Sequence, residues 1–204
     1  MTVLRLHRLG DPILRSSARA VDPARLQVRE LQVLIDDMIE TMKAASGVGL
    51  AAPQVGKDLQ LFVYQTGSPE KTGSPEKEEA SESPQEETSD DDGERIRVLV
   101  NPSVEPEPGE AVYDWEGCLS IPDLRGLVPR HPAVKVRGLD RHGETVSYVA
   151  EGFEARIIQH EYDHLNGIVF LDRMRDLRSL SFEEEWLKYL AHSPDHDDEQ
   201  AAVG

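Results

Sequence analysis

The chain has 204 residues, with 22 Lys+Arg against 39 Asp+Glu, a formal charge of −17 and one cysteine. The length suits one compact domain, or one domain carrying extra segments, and the acidity argues against direct nucleic-acid binding, because phosphate contacts need clustered Lys and Arg. A lone cysteine excludes an internal disulfide, and no apolar run approaches the roughly 18–20 residues that span a bilayer, so a cytoplasmic protein with no membrane partner is expected.

The opening MTVLRLHRLGDPILR interleaves Arg, His and Asp with apolar residues and lacks the apolar core of a secretory signal. Asp22-Pro23 offers an N-cap followed by proline at the first helical position. Leu31, Leu34, Ile35, Met38, Ile39 and Met42 then keep helical spacing, which predicts a helix through to Ala45. LQLFVYQ (59–65) and IRVLVN (96–101) read as two strands of one hairpin. Between them, residues 66–94 hold 11 acids and two lysines, with Ala80 alone from the apolar set. Such a stretch cannot bury enough surface to offset the entropy of ordering it, so a disordered, solvated loop is expected. Loop-closure entropy grows slowly enough with length for the hairpin to tolerate it. The echo of TGSPEK at 66–71 and 72–77 is a local duplication, too short for a repeat architecture.

Two further strands are predicted at VKVRGLD (134–140) and TVSYVAEG (145–152), joined by a turn at Arg141-His142-Gly143. A second helix follows from Phe153 to Asn166, with Gly167 placed to end it. Ser181-Phe182-Glu183-Glu184 has the form of a capping box that opens a short helix over Trp186, Leu187 and Leu190. The run from Ser193 to Gly204 carries four acids and is expected to fray. Helices segregated from antiparallel strands define an α+β domain.

Three clusters carry the chemistry. In Gln159-His160-Glu161-Tyr162-Asp163-His164, positions i and i+4 of a helix share a face, so His160 and His164 can offer ring nitrogens to one metal ion. Glu161 points near the same ion and can take a proton from water bound there. An amphipathic helix whose histidines face solvent or bond within the core gives the same pattern. Against the solvent version, Phe153, Ile157, His160 and His164 form one helical stripe, and if its apolar end packs inward the histidines are at least partly buried with it. Cys118, in Trp115-Glu116-Gly117-Cys118-Leu119-Ser120, can supply a third ligand and leave a fourth position open, as a catalytic site requires; a lone cysteine can equally be a small buried hydrophobe. The third cluster, Gly47 to Gly56, lets backbones approach closely and presents the Gln54 amide to a developing oxyanion. Alone, such a loop is also a packing or turn feature, and it lacks the spacing of a dinucleotide fingerprint.

GVGLAAPQ, EGCLS and QHEYDHLNG, in that order and with GDPILR ahead of them, resemble the motifs of the peptide deformylase family over roughly residues 3–175. The resemblance implies antiparallel β-sheets packed around a central helix that carries the HExxH motif, with an N-terminal helix and a short C-terminal helix. The catalytic domain would span 1–175, interrupted by the acidic insert at 66–94; 176–192 would form the C-terminal helix and 193–204 the tail. Cys118, His160 and His164 would bind Fe(II), or Zn(II), Ni(II) or Co(II) in its place. Metal-bound water would attack the formyl carbon of an N-formylmethionyl peptide with Glu161 as general base. The oxyanion would be held by Gln54, the Leu119 N–H and the metal. The peptide would lie along Val48, Gly49 and Gly117 like an added strand. Val48, Phe153 and Ile157 would line the methionine pocket, with Arg125 at its edge and Glu116 paired to Arg130 beneath. Some members dock on the ribosome through a basic C-terminal helix. Here Ser181 to Gly204 carries Glu183, Glu184, Glu185 and the acidic tail, which ribosomal RNA would repel, so proximity without that contact is expected.

Two other readings compete. A zinc peptidase shares HExxH, but such enzymes usually take a further His or Glu from downstream, where the histidines are His192 and His196, in or beside the expected tail, while Cys118 sits upstream in its own motif. A non-catalytic metal or peptide-binding module has no use for Glu161 and Gln54.

Overall fold

The computed structural model describes residues 1–66 and 95–191. The expected loop, from residue 67 to 94, and the expected tail lie outside those residues. Four α-helices are present among the described residues: α1 (Arg29–Ala44), α2 (Gly152–Leu165), α3 (Phe170–Arg173) and α4 (Glu183–Tyr189). The strands are β1 (Gly49–Ala51), β2 (Leu61–Thr66), β3 (Arg95–Pro106), β4 (Val112–Cys118), β5 (Ile121–Arg130), β6 (Ala133–Leu139), β7 (Thr145–Glu151) and β8 (Ser181–Phe182). They form two antiparallel sheets, one ordered β1-β2-β3-β6-β7 and the other β4-β5-β8. No helix of the described residues is long and apolar enough to cross a membrane.

β2 shows why the larger sheet sits between two helices. Leu61 and Val63 point into a cluster with Ile35, Met38 and Met42 of α1, while Phe62 and Tyr64 point into another with Ala155, Ile157 and Ile158 of α2. The period-2 alternation of a strand is thus apolar on both faces, the mark of a strand covered on both sides. β2 pairs with β3 from Leu61↔Val100 to Thr66↔Arg95, so the two runs that flank the acidic stretch are one hairpin. α2 rests on the larger sheet, and its other side meets the smaller sheet through Arg156, which donates to the carbonyls of Val112 and Val128 at 2.7 and 2.9 Å.

Several boundaries differ from the sequence expectation. Asp22 caps only a 3-10 turn over Pro23–Arg25, its carboxylate accepting from the Ala24 N–H at 3.0 Å. Val28 is extended, and α1 begins at Arg29, because fully buried Leu26 turns the chain into the core first. The final helix is N-capped by Phe182, not Ser181, since Ser181–Phe182 is consumed by strand pairing with β5. β4 and β5 had no strand prediction: Pro122, Pro129, Gly117 and Gly126 interrupt the β-propensity that marks the other strands. α2 ends as expected, with Gly167 at φ 71 beside the Arg15 backbone, where a side chain has no room.

Asn101 is a second special position. It sits at φ 51 where the β3–β6 register shifts, and its side chain accepts from the Val21 N–H and donates to the Val21 carbonyl, both at 2.8 Å. Asn101→Ala leaves both buried backbone groups unpaired and keeps the strained φ. Its expected cost is about 2 kcal/mol, read as a lowered denaturant midpoint; an unchanged midpoint would contradict this role.

Candidate metal centre

α2 places His160 and His164 one turn apart, with ring centroids 5.1 Å from each other. The chain enters the same space from the smaller sheet at the end of β4. Cys118 Sγ lies 3.2 Å from His164 Nε2. One ligand atom from each of Cys118, His160 and His164 lies within 4.8 Å of the others. Ligands at about 2.0–2.3 Å from one tetrahedral ion stand roughly 3.5 Å apart, so the spacing suits a single cation.

The rings are oriented from behind. His160 Nδ1 donates to Glu116 Oε2 at 2.9 Å, which fixes the tautomer and leaves Nε2 toward Cys118. The imidazole also stacks on Phe170, with centroids 6.4 Å apart. Glu116 in turn accepts from Arg130 Nε and Nη2 at 2.8 and 3.0 Å and from Arg156 Nη1 at 2.9 Å. Asp163 accepts from Arg130 Nη1 at 2.6 Å and from Arg173 Nη2 at 2.5 Å. Glu116, Arg130, Arg156 and Asp163 are all buried.

These contacts set the electrostatics. Burial opposes ionisation of Glu116, yet hydrogen bonds from His160 and Arg130 outweigh it and hold the carboxyl well below the usual range. Burial likewise disfavours the Cys118 thiolate, but the charge on His164 and contacts with both histidines bring the thiol far below its ordinary value. A thiolate among imidazoles is the form that binds a soft or borderline cation. Glu161 behaves oppositely: its burial pushes the carboxyl up to about 7. Its Oε2 and His164 Nδ1 are enclosed without a hydrogen-bond partner. Together with the sulfur and nitrogen donors, these enclosed polar atoms fit a group that the protein binds.

Glu161 lies against Gly49, and any β-carbon there would collide with its carboxylate. Gln54 is held at both ends of its amide. Its Oε1 accepts from the Ala51 N–H at 2.8 Å, which turns Nε2 toward Ser120 Oγ at 3.3 Å and Cys118 Sγ at 3.5 Å. Leu119 packs on Gly47 and the α1-side cluster. Gly49 and Gly117 lie on β1 and β4, each an edge strand of its sheet. Arg125 lies against Gly117. Val48 is 39% exposed, whereas Ile157 is buried and Phe153 half-buried in the cluster of Phe62 and Tyr64. His192 and His196, the downstream candidates for a peptidase-type ligand, lie outside the described residues.

Sequence reasoning paired Glu116 with Arg130 but missed Arg156, Asp163, Arg173 and Ser120. Arg156 and Asp163 each stand four residues or fewer from a motif histidine on α2, and that spacing was the available signal.

The polypeptide deformylase family model matches residues 3–179. Peptide deformylase 2 of Bordetella bronchiseptica is 42% identical over 177 residues, 87% of this chain and 90% of the relative. The chloroplastic/mitochondrial peptide deformylase 1A of Arabidopsis thaliana is 40% identical over 81% of this chain and 59% of its own length. A Met-Ala-Ser-bound class I type b peptide deformylase from Acinetobacter baumannii superposes with a TM-score of 0.70 at 37% identity, covering 85% of this chain and 99% of the other.

Glu116→Gln removes the charge that balances Arg130, Arg156 and His160. Breaking a buried ion pair costs about 3–5 kcal/mol, and losing a partner that orients a ligand weakens cation affinity about 10–100-fold. Denaturant unfolding and competition with a chelator measure the two effects; a variant with wild-type values in both would contradict the role given to Glu116.

Proposed function

Because the chain belongs to the polypeptide deformylase family, we propose that it removes the N-terminal formyl group from formylmethionyl nascent polypeptides and releases formate. The convergence of Cys118, His160 and His164, with buried Glu161 beside them, carries this reading. Those three residues hold a divalent ion, which when bound supplies Lewis-acid activation of water and of the formyl oxygen. Fe(II) is the ion the resemblance implies; Zn(II), Ni(II) or Co(II) suit the same donors.

The chain's own groups do the rest. Glu161, with a carboxyl poised near neutral pH, accepts a proton from the water whose oxygen bonds to the formyl carbon. Negative charge then gathers on the formyl oxygen, where the Gln54 Nε2 donor and the Leu119 N–H face it. The Ala51 N–H holds the other end of the amide, which keeps the Gln54 nitrogen beside Cys118. When the C–N bond breaks, Glu161 returns the proton to the departing amine, which leaves formate and a free amino terminus.

An extended substrate fits between the two edge strands, along Val48, Gly49 and Gly117, with main-chain pairing that any nascent peptide can make. The methionine side chain meets Val48, Phe153 and Ile157, and Arg125 stands at the rim. The catalytic unit is residues 1–175, interrupted by the acidic insert, with the C-terminal helix and tail appended. It works in the cytoplasm near the ribosome. Docking through the C-terminal helix is disfavoured by the three glutamates in its first turn, and no direct nucleic-acid contact is part of the mechanism.

Formate release from formyl-Met-Ala-Ser, set against cleavage of an unformylated peptide, tests the reaction. Turnover of the formylated substrate alone is expected, and cleavage of the unformylated chain would favour a peptidase. Glu161→Ala should retain its metal while losing turnover by about 100-fold or more, and full activity would remove the general base from the account. Cys118→Ser should lose metal, and undiminished content would count against ligation by sulfur.

A further inference from the structure

Residues beyond 179 lie outside the span that the family model matches, yet they return to the rim of the substrate cleft. β8 pairs Phe182 with Leu124 and Ser181 with Arg125, which brings α4 onto β5. Arg125 Nε and Nη2 donate to Glu183 Oε1 at 3.1 and 2.6 Å. The guanidinium carbon stands 5.2 Å from the centroid of the Trp186 ring, within cation–π range. Trp186 is supported by Trp115, with centroids 5.9 Å apart. The guanidinium also lies over Gly117, its central carbon 3.2 Å from where a β-carbon would stand. A long, flexible side chain is therefore held by a carboxylate, an indole and a backbone segment at once. Among the described residues its Nη1 has no hydrogen-bond partner, so one arm of the fork is free to donate.

We propose that Glu183 and Trp186 are positioning residues, which fix Arg125 so that Nη1 donates to a main-chain carbonyl of the residue after formylmethionine. The inference rests on the deformylase reading and extends it to the substrate's downstream chain. Holding Arg125 in advance removes the rotamer entropy that binding would otherwise cost. Glu183 also balances the guanidinium charge, so the rim recognises the backbone common to all nascent chains instead of attracting acidic side chains. The C-terminal helix thereby serves the cleft of its own chain, a use compatible with its acidic first turn.

Steady-state kinetics of the metal-loaded enzyme on formyl-Met-Ala-Ser and on formylmethionine amide, which lacks the downstream residue, test the proposal. Glu183→Gln and Trp186→Leu should each raise KM for the tripeptide, by up to about tenfold for one charge-assisted hydrogen bond, with kcat unchanged. KM for the amide should stay at the wild-type value. In an Arg125→Ala background neither change should add a further effect, whereas independent structural damage would add. An unchanged tripeptide KM, an equal rise on both substrates, or additivity with Arg125→Ala would overturn the proposal. Calorimetric binding of Met-Ala-Ser to the same variants separates the two levels. Binding that weakens in the variants without formate release from the wild type would overturn the reaction alone; turnover with unaltered binding and KM would overturn the positioning role alone.

Discussion

The buried carboxylate of Glu116 is the point on which the two halves of the molecule are registered. It sits on β4 of the smaller sheet and accepts from Arg130 of β5 and from Arg156 and His160 of α2. Cys118 lies two residues further along β4, so the same contact that orients His160 also decides where the sulfur meets the rings. A buried ion network of this kind adds little net stability over an apolar core, but a mispaired register would strand several charges away from water. Its value is specificity of arrangement: one relative placement of sheet and helix satisfies Glu116, and that placement brings the three ligand atoms together. Asp163 reinforces it by joining Arg130 to Arg173 beyond the end of α2.

The proposed reaction needs that centre to be presented to an extended chain. β1 and β4 are edge strands of different sheets, and each carries a glycine where the site needs close approach, Gly49 against Glu161 and Gly117 beneath Arg125. In the proposed function, main-chain groups on these edges pair with substrate instead of inviting aggregation. The Gln54 amide is fixed at its oxygen end by the Ala51 N–H, and in the proposed function its nitrogen donates to the oxyanion.

Much of this was legible in the sequence because it rests on local periodicity. The 3.6-residue stripe from Phe153 to His164 predicted α2 almost to its ends, and the apolar runs at 59–65 and 96–101 predicted the hairpin across the acidic stretch. The three motifs singled out Cys118, His160 and His164, which the fold brings together. What stayed hidden depends on partners distant in sequence. Arg156 and Asp163 look like the polar side of an amphipathic helix until the smaller sheet covers them. β4 and β5, broken by proline and glycine, are held by their hairpin and by the buried charges more than by propensity. The start of α1 followed the burial of Leu26 rather than the Asp-Pro signal, and Ser181 joined a strand before it could cap a helix.

X-ray absorption at the metal edge, on protein purified anaerobically from its own cells, tests the central claim most directly. The account predicts one sulfur at about 2.3 Å together with two imidazole nitrogens at about 2.0–2.1 Å and a light-atom ligand completing the shell. A first shell of nitrogen and oxygen with no sulfur would contradict it, because the register set by Glu116 would then bring Cys118 to the histidines for some purpose other than holding the ion.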